Sequence, residues 1–343
     1  MKILFDIGHP AHVHFFKNAI WALKEKSHDV MITARDKEVS LNLLDAYGLT
    51  YINLGKNQKG LFNKAIGMLK IDYKLYNVAK KFQPDVLVGV HNPYIAHAGR
   101  LLGRPSITFT DTEHAKIASL ITFPFTDIIC TPSCFKKELG SKQIRYDGYH
   151  ELAYLHPKYF KPDPSILEKI GLQKNEKFII LRFISWNASH DVKQQGFDLE
   201  TKIQLIEKLE KCARVFISSE GEISSDLEKY QVKAPPEKMH DLLYYATMYI
   251  GEGATMATEA GILGTPSIYI SSLVGTMGNF EELQNKYGLV YSFNNSNNAL
   301  DAAVDFLSSN GLKNIWQNKR EIMLNEKIEV TQFMTELIEK TIG

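Results

Sequence analysis

The sequence predicts an α/β protein with two doubly wound parallel sheets, one in each half of a chain of 343 residues. Three observations predict this fold class. Short apolar strands alternate with helical stretches in both halves, a proline-bearing stretch separates the two series, and a glycine turn joins a strand to a helix in the second half. Because ligands bind at the carboxyl ends of the strands in such sheets, residues that directly follow a predicted strand are the candidates for function.

The first series of strands predicts an N-terminal domain over residues 1–150. The strands are short apolar runs at residues 2–7, 29–33, 50–54, 85–90, 106–110, 127–130 and 144–146. Residues 151–176 contain Pro157, Pro162 and Pro164 and predict a linker.

The second series predicts a C-terminal domain over residues 177–326. Its strands are residues 177–183, 214–218, 248–250, 267–270 and 290–293, and helical stretches such as 199–212 and 236–246 lie between them. The residues from about 299 to 342 read as helical, and 327–343 are set apart as a C-terminal helix.

The bulk composition indicates an ordinary globular protein. Hydrophobic residues make up 44% of the chain and charged residues 23%. The net charge of +1 provides no global field for nucleic acid, so no nucleic-acid partner is expected. The three cysteines fit neither a disulfide framework nor a zinc site, and the first residues read as a strand rather than a signal peptide. We therefore expect a cytoplasmic protein.

The glycine turn of the second half predicts an anion site. Gly251 and Gly253 allow a tight turn after a strand, and Thr255 is predicted to cap the helix that follows. The N-terminus of such a helix suits a phosphate, and Glu259 lies where a carboxylate can accept hydrogen bonds from sugar hydroxyls. The alternative is an ordinary strand–helix turn with a solvated glutamate.

A family resemblance rests on this turn. Gly253-Ala254, followed by Glu259 and by the Gly-Thr-Pro turn at 264–266, resembles the nucleotide-sugar motif of GT-B glycosyltransferases, in particular the peptidoglycan GlcNAc transferase. The whole chain is similar to the domain-of-unknown-function 354 family, which is grouped with GT-B enzymes and the non-hydrolysing UDP-GlcNAc 2-epimerase. The resemblance implies GT-B architecture, with two Rossmann-like domains facing across a cleft and residues 327–343 packing back on the N-terminal domain. It also implies that Glu259 holds the nucleotide ribose.

Further donor-binding residues follow from the same resemblance. The loop after the first strand of the second domain faces the donor phosphates in GT-B proteins, which implies a phosphate clamp by Arg182 and hydrogen bonds from Ser185 and Asn187. Met239 and His240 stand where the family contacts the nucleotide base. Together with Gly253, Ala254, Thr255 and Glu259, these residues form the predicted donor site.

Histidines after the first strand are the candidates for acceptor chemistry. His9, His12 and His14 follow residues 2–7, and a histidine that titrates near neutrality can take a proton from an acceptor hydroxyl. His12, which with Val13 resembles a His-Val pair in the peptidoglycan transferase, is the predicted general base. The alternatives are a solvated or capping histidine, or metal chelation by His12 and His14; we predict no metal site.

Two later strand ends add His91 and Glu113. His91 follows residues 85–90, and Asp111 and Glu113 follow residues 106–110. Glu113 resembles a catalytic acid of the 2-epimerases and is the second candidate for the general base, with N-capping as the alternative. Asp111 is interpreted as the N-cap of a helix beginning near His114. His91-Asn-Pro stands where the epimerases carry an aspartate, which counts against epimerase chemistry. Ser133 is interpreted as another helix cap.

Residues 56–82 predict a basic amphipathic helix, with seven lysines and one acidic residue interleaved with apolar side chains. Such a helix packs on its own sheet with a solvated lysine face, or it lies on an anionic membrane surface.

The combined prediction is a metal-independent GT-B glycosyltransferase in surface or exopolysaccharide synthesis. Its donor is a nucleotide-diphosphate sugar, bound as a substrate and not as a cofactor, and its acceptor is a carbohydrate or a lipid-linked sugar. The alternatives are a nucleotide-sugar epimerase or hydrolase and, from another class, a non-catalytic nucleotide-sugar or polysaccharide-binding protein.

Overall fold

The computed structural model describes residues 1–56, 61–173, 176–183, 199–219 and 223–342, except for the side chains of residues 61–65 and 199. The chain divides into two compact units. Unit 1 comprises Met1–Tyr159 and Lys327–Gly343, and unit 2 comprises Phe160–Glu326.

Unit 1 is built on a seven-stranded parallel sheet with the order β3-β2-β1-β4-β5-β6-β7. The strands are β1 (Lys2–Ile7), β2 (Asp29–Asp36), β3 (Ile52–Lys56), β4 (Val86–Val90), β5 (Ser106–Phe109), β6 (Ile128–Pro132) and β7 (Gln143–Tyr146). The helices are α1 (Pro10–Glu25), α2 (Ser40–Ala46), α3 (Leu61–Phe82), α4 (Pro93–Leu102), α5 (Lys116–Thr122), α6 (Leu152–Leu155) and, from the end of the chain, α14 (Val330–Ile342). A 3-10 helix spans Gly140–Lys142.

Unit 2 is built on a five-stranded parallel sheet with the order β12-β11-β10-β8-β9. The strands are β8 (Phe178–Phe183), β9 (Arg214–Ser219), β10 (Met248–Gly251), β11 (Ser267–Ile270) and β12 (Val290–Phe293). The helices are α7 (Ser165–Lys169), α8 (Leu199–Leu209), α9 (Met239–Tyr245), α10 (Ala254–Ile262), α11 (Gly278–Asn285), α12 (Ser296–Ser308) and α13 (Leu312–Glu326). Short 3-10 helices span Glu228–Tyr230 and Pro236–Lys238.

Strand sequence explains the sheets. The central strand β1 buries Ile3, Leu4, Phe5 and Ile7 completely, as expected for a parallel strand covered by helices on both faces. The strand order reverses between β1 and β4 in unit 1 and between β8 and β10 in unit 2. These switch points are where an open α/β sheet forms its ligand crevice, so the loops after these four strands hold the candidate residues.

The C-terminal helix α14 belongs to unit 1. It packs against α1 and α6. Thr331 Oγ1 donates to the carbonyl of Ala153 at 2.7 Å, and Lys327 Nζ donates to Asp147 Oδ1 at 2.6 Å. Residues predicted as one helical stretch from about 299 to 342 form three helices, α12, α13 and α14.

Three predicted helix caps are wrong. The N-cap of α10 is Gly253, so Thr255 lies inside the first turn, where its hydroxyl cannot cap the helix start. The N-cap of α5 is Ala115, and Asp111 instead faces His150. No helix begins at Ser133; residues 133–139 are non-helical, and Arg145 binds the carbonyl oxygens of residues 133, 135 and 137.

Among the helices in the described residues, none is both long enough and apolar enough to cross a membrane.

Candidate functional site

In unit 2, two glycines bring the β10–α10 turn close to β8. A Cβ at Gly251 would lie 2.6 Å from the carbonyl oxygen of Arg182, and one at Gly253 would lie 3.0 Å from Arg182 Cγ. Any side chain at residue 251 would therefore force the two strands apart. Helix α10 begins directly after this turn, with Gly253 at its N-cap and no side-chain cap. Its first backbone N–H groups can therefore bind a ligand.

Glu259 is buried and paired with a histidine. Its Oε1 atom lies 2.9 Å from Nε2 of His240, and the two residues are 5% and 4% exposed. The alternative of a solvated glutamate is therefore wrong. The sequence predicted both residues as donor contacts, and the structure shows that they contact each other, so α9 holds the carboxylate of α10 in one orientation.

Arg182 stands beside the glycine turn at the end of β8. Its Nη1 atom donates to Ser218 Oγ at 2.7 Å, so β9 fixes the guanidinium. Met239 is half-buried at the start of α9, and Thr255 is exposed. Ser185 and Asn187 lie outside the described residues.

The histidines after β1 separate into two environments. His9 is the N-cap of α1, and its Nδ1 accepts the N–H of Ala11 at 3.2 Å. His12 lies next to it, with ring centroids 5.8 Å apart. His14 instead points into the core, where it contacts the Tyr47 hydroxyl at 3.2 Å and stacks on Tyr154. Only His9 and His12 are therefore together at the strand end.

Burial keeps His12 uncharged. Desolvation first, and then the neighbouring His9 and Arg35, lower the pKa of His12 well below its usual value. Its Nδ1 lies 3.4 Å from the N–H of Gly8. The shift leaves the imidazole unprotonated at neutral pH but also makes it a weaker base, so its position after β1, and not its pKa, makes His12 the candidate. No group of three His, Cys, Asp or Glu side chains in the described part of the chain could hold a metal ion.

His91 is held at both ring nitrogens. Nδ1 lies 3.0 Å from Thr110 Oγ1, Nε2 lies 3.2 Å from Ser119 Oγ, and the ring stacks on Phe123. Burial lowers the pKa of His91 to about 4, and its φ of +44° is a left-handed conformation that non-glycine residues seldom adopt. With both nitrogens occupied, His91 positions the loop between β4 and α4.

Glu113 is 4% exposed, and its Oε1 accepts the N–H of Lys136 at 3.2 Å. It thereby ties the loop after β5 to the segment after β6. The carboxylate faces the protein interior and does not cap α5.

Sequence reasoning missed His150, which follows β7. Its Nδ1 lies 3.4 Å from Asp111 Oδ2, and its ring packs on Phe15 with centroids 4.4 Å apart. Nε2 is buried and has no hydrogen-bond partner among the residues that the structure describes. Burial lowers the pKa of His150, while Asp111 opposes that shift. The available signal was its position after the last strand of the first series.

Sequence reasoning also missed a buried charge network at the switch point. Asp6 is fully buried and accepts from Thr33 Oγ1 at 2.6 Å, Asn92 Nδ2 at 2.6 Å and Arg35 Nη2 at 3.3 Å. The Arg35 guanidinium also covers Gly8, where a Cβ would lie 1.7 Å from Nη2. The network therefore fixes the turn between β1 and α1, beside which His9 and His12 lie.

Residues 1–335 match the family described as "Protein of unknown function (DUF354)". The chain belongs to this family. It is 27% identical over 290 residues to the uncharacterized protein MJ0665 of Methanocaldococcus jannaschii. The aligned region covers 80% of this chain and 84% of that protein.

Two solved structures share the fold over nearly the whole length. One is a UDP-GlcNAc 2-epimerase from Neisseria meningitidis bound to UDP-GlcNAc, with 13% identity, a TM-score of 0.67 and coverage of 100% of this chain and 99% of that one. The other is the glycosyltransferase VinC in complex with dTDP, with 12% identity, a TM-score of 0.66 and coverage of 99% of both chains. The predicted GT-B fold is confirmed.

Proposed function

We propose that this protein is a GT-B glycosyltransferase that transfers a sugar from a nucleotide-diphosphate donor to an acceptor hydroxyl in surface or exopolysaccharide synthesis. The observation that carries the proposal is the β10–α10 turn of unit 2, where the uncapped N-terminus of α10 lies close to Arg182 and α10 itself carries Glu259, which is paired with His240. The fold is shared with a glycosyltransferase in complex with dTDP and an epimerase bound to UDP-GlcNAc, which supports a nucleotide-sugar ligand.

Unit 2 is the proposed donor-binding unit. The backbone N–H groups at the start of α10 and the positive end of its dipole bind the diphosphate, and Arg182 supplies a fixed guanidinium beside them. Glu259 accepts hydrogen bonds from the ribose hydroxyls, since His240 already holds its carboxylate in place. Met239, Ala254 and Thr255 complete the proposed contacts.

These groups also carry the proposed electrostatic part of catalysis. Negative charge develops on the diphosphate as it leaves, and fixed dipoles with one guanidinium stabilise that charge at little reorganisation cost. The proposed reaction therefore proceeds without a bound metal.

Unit 1 is the proposed acceptor unit, with His12 as the general base. His12 lies just after β1 and is unprotonated near pH 7, as a group that takes the proton of an acceptor hydroxyl must be, although its lowered pKa makes it a weaker base than an ordinary histidine. Glu113 and His91 position the neighbouring loops. His150, which contacts Asp111, is a further histidine whose pKa burial lowers, and a variant series distinguishes it from His12.

The donor half is tested by thermal shift with UDP, dTDP, GDP, ADP, CMP and their sugar conjugates. A ligand at about 100 times its dissociation constant stabilises the native protein by about 2.7 kcal/mol. We expect one nucleotide diphosphate to stabilise the wild type and the exposed control Glu321→Gln, but not Glu259→Gln. Equal stabilisation of Glu259→Gln would overturn the donor assignment.

The base is tested with the donor so identified and a panel of sugar acceptors. We expect His12→Gln to lower kcat by about 10²- to 10⁴-fold and His150→Gln by less than about 10-fold. The reverse order would assign the base to the Asp111–His150 pair. Nucleotide binding with no turnover by any variant or by the wild type would favour the non-catalytic binding protein.

The epimerase is the second candidate function, because the fold is shared with a UDP-GlcNAc 2-epimerase. It needs a donor site and no acceptor. Incubating the protein with the nucleotide sugar alone and analysing the sugar distinguishes the epimerase from the transferase. An altered or released sugar without an acceptor would favour epimerase or hydrolase chemistry over transfer.

A further inference from the structure

One flank of unit 1 exposes large apolar side chains. In the described part of the chain, five large apolar residues are at least 66% exposed, and all five lie on the three consecutive helices α3, α4 and α5. They are Leu69, Tyr73, Leu101, Ile117 and Leu120. We call this set of side chains the α3–α5 face. Such a concentration on a single flank indicates a binding surface, because singly scattered apolar residues are the normal condition of a protein surface.

The α3 helix does not need this face for its own packing. Ile71, Leu75, Ala79 and Phe82 already bury one side of α3 in the core beside Leu4 and Leu87. The exposed Leu69 and Tyr73 therefore lie on a different side of the helix, and burial against the sheet does not explain them.

His97 joins the three helices into one surface. From α4, its Nδ1 lies 3.1 Å from both carboxylate oxygens of Asp72 on α3, and its Nε2 lies 2.9 Å from the carbonyl of Ile121 on α5. The hydrogen bond with Asp72 raises the pKa of His97, which favours the imidazolium that donates in both directions. The face therefore has a fixed shape.

The same flank is strongly basic. The sequences of α3, α4 and α5 contain seven basic residues and a single acidic one, Asp72, which His97 engages. A cavity of about 400 Å³ lies between β3 and α3. Lys56, Lys70, Tyr73 and Lys74 are among the residues that line it.

The cavity and the apolar face are continuous, because Tyr73 lines the first and belongs to the second. Three lysines line the cavity without a carboxylate among the lining residues. Lys74 Nζ donates to the carbonyl of Leu54 at 2.8 Å, and Lys56 lies 3.3 Å from Asp36 outside the lining. Its volume lies in the range of small-ligand sites, and its charge suits an anion.

We propose that the α3–α5 face binds an anionic lipid bilayer, with the lysine-lined cavity receiving a lipid phosphate headgroup. Apolar side chains insert at the boundary of headgroups and acyl chains, and lysines beside them are attracted to the anionic surface. The combination of protruding apolar side chains with a basic cavity is complementary to a bilayer in both polarity and charge. The proposal concerns a surface of unit 1 and holds whether or not the transferase assignment is correct.

The test is co-sedimentation of the full chain with vesicles of phosphatidylcholine, with and without phosphatidylglycerol. We expect binding to the vesicles that contain phosphatidylglycerol, and weaker binding at raised salt. Failure to bind those vesicles at low salt would overturn the proposal.

Two pairs of variants examine the two parts of the surface. The double variant Leu69→Asp/Ile117→Asp should lose vesicle binding, whereas the control Ile322→Asp, an exposed apolar residue of unit 2, should keep it. The variant Lys70→Gln/Lys74→Gln should bind more weakly by about 5-fold for each lysine removed, and Lys24→Gln, an exposed lysine of α1, should bind as the wild type does. Unchanged binding by either double variant would overturn the assignment to this face.

A second copy of the chain is the competing occupant, and light scattering distinguishes it. A wild-type dimer that Leu69→Asp/Ile117→Asp converts into a monomer would assign the face to self-association and overturn the membrane proposal. Because all substituted residues are exposed, circular dichroism of the variants should match the wild type, and the comparison remains interpretable.

Discussion

The two units differ in what occupies the carboxyl ends of their sheets. In unit 1 the switch point is filled with buried polar side chains, namely Asp6, Arg35, Asn92 and the neutral histidines around them. In unit 2 the corresponding position is opened by two glycines, so that backbone rather than side chain approaches β8.

The difference separates two kinds of chemistry. Unit 1 presents titratable side chains, which can take up or release a proton, and this suits an acceptor unit. Backbone N–H groups at a helix start carry no titratable proton and bind an anion at any physiological pH, which suits a donor unit.

The buried charge of unit 1 should be the most sensitive to substitution. Asp6→Asn leaves the buried Arg35 without its counter-charge, and breaking a buried pair by removing one partner costs about 3–5 kcal/mol. Urea unfolding measures this loss. Asp36→Asn, at the end of β2 and next to Arg35 in sequence, is the matched control, since Asp36 pairs with the exposed Lys56, and it should change stability by less than about 1 kcal/mol. Equal effects of the two variants would show that the network contributes no more than a surface ion pair.

The backbone approach of unit 2 should be the next most sensitive. Gly251→Ala places a Cβ 2.6 Å from the carbonyl oxygen of Arg182, and overpacking of this kind costs up to about 3 kcal/mol. Gly253→Ala meets Arg182 Cγ at 3.0 Å, a side-chain atom at a longer distance, and should cost less than about 1 kcal/mol. Thermal unfolding of the two variants gives the comparison. If Gly253→Ala were the more damaging to stability, the close approach of β10 to β8 would not be the reason for the glycine at 251.

Acid should weaken unit 1 through His91. The unfolded histidine has a pKa near 6.5 and the folded one about 4, so between these values the unfolded chain binds a proton that the folded chain refuses. Stability therefore falls as the pH falls through this window, by about 2 kcal/mol between pH 7 and pH 5 for this group.

The measurement is urea unfolding at both pH values for the wild type and for His91→Asn, since asparagine tolerates a positive φ. The variant should be less stable at pH 7 and should show a smaller loss at pH 5. A pH dependence that the substitution leaves unchanged would mean that His91 contributes nothing to it.

Removing a surface charge of unit 1 should change the folding stability least. Glu339 on α14 contacts Lys26 at 2.8 Å and His28 at 3.0 Å, and the hydrogen bond from Lys26 is the main cause of its lowered pKa. A carboxylate with a lowered pKa stabilises the folded state above its unfolded pKa, and that contribution is lost as the pH falls. Because the pair is solvated, Glu339→Gln should reduce stability at pH 7 by about 0.5 kcal/mol, and the difference from wild type should disappear in acid. A loss comparable to that of Asp6→Asn would contradict the distinction between buried and surface charge.

The elements themselves were predictable because their signals are local. A strand stands at each place where a short apolar run predicted one, and β10, the glycine turn and α10 follow one another as the residues from 248 to 262 indicate. Helix caps were less predictable. Thr255, Asp111 and Ser133 have the right residue type for a cap, but the first helical residue is set by where the loop leaves the sheet.

The sequence by itself determined the two parallel sheets, the glycine turn and the placement of His12, His91 and Glu259 after or near strand ends, because hydrophobic periodicity and backbone preferences act over a few residues. Only the tertiary structure decided which side chains the candidate residues contact. Glu259 meets His240 across 19 residues of chain, and Asp6 meets Asn92 across 86, because strand order and helix packing, which the sequence does not display, bring them together. The exposure of the side chains of the α3–α5 face was also decided by the tertiary structure. Periodicity shows that a helix has an apolar side but not how much of that side its neighbours will cover.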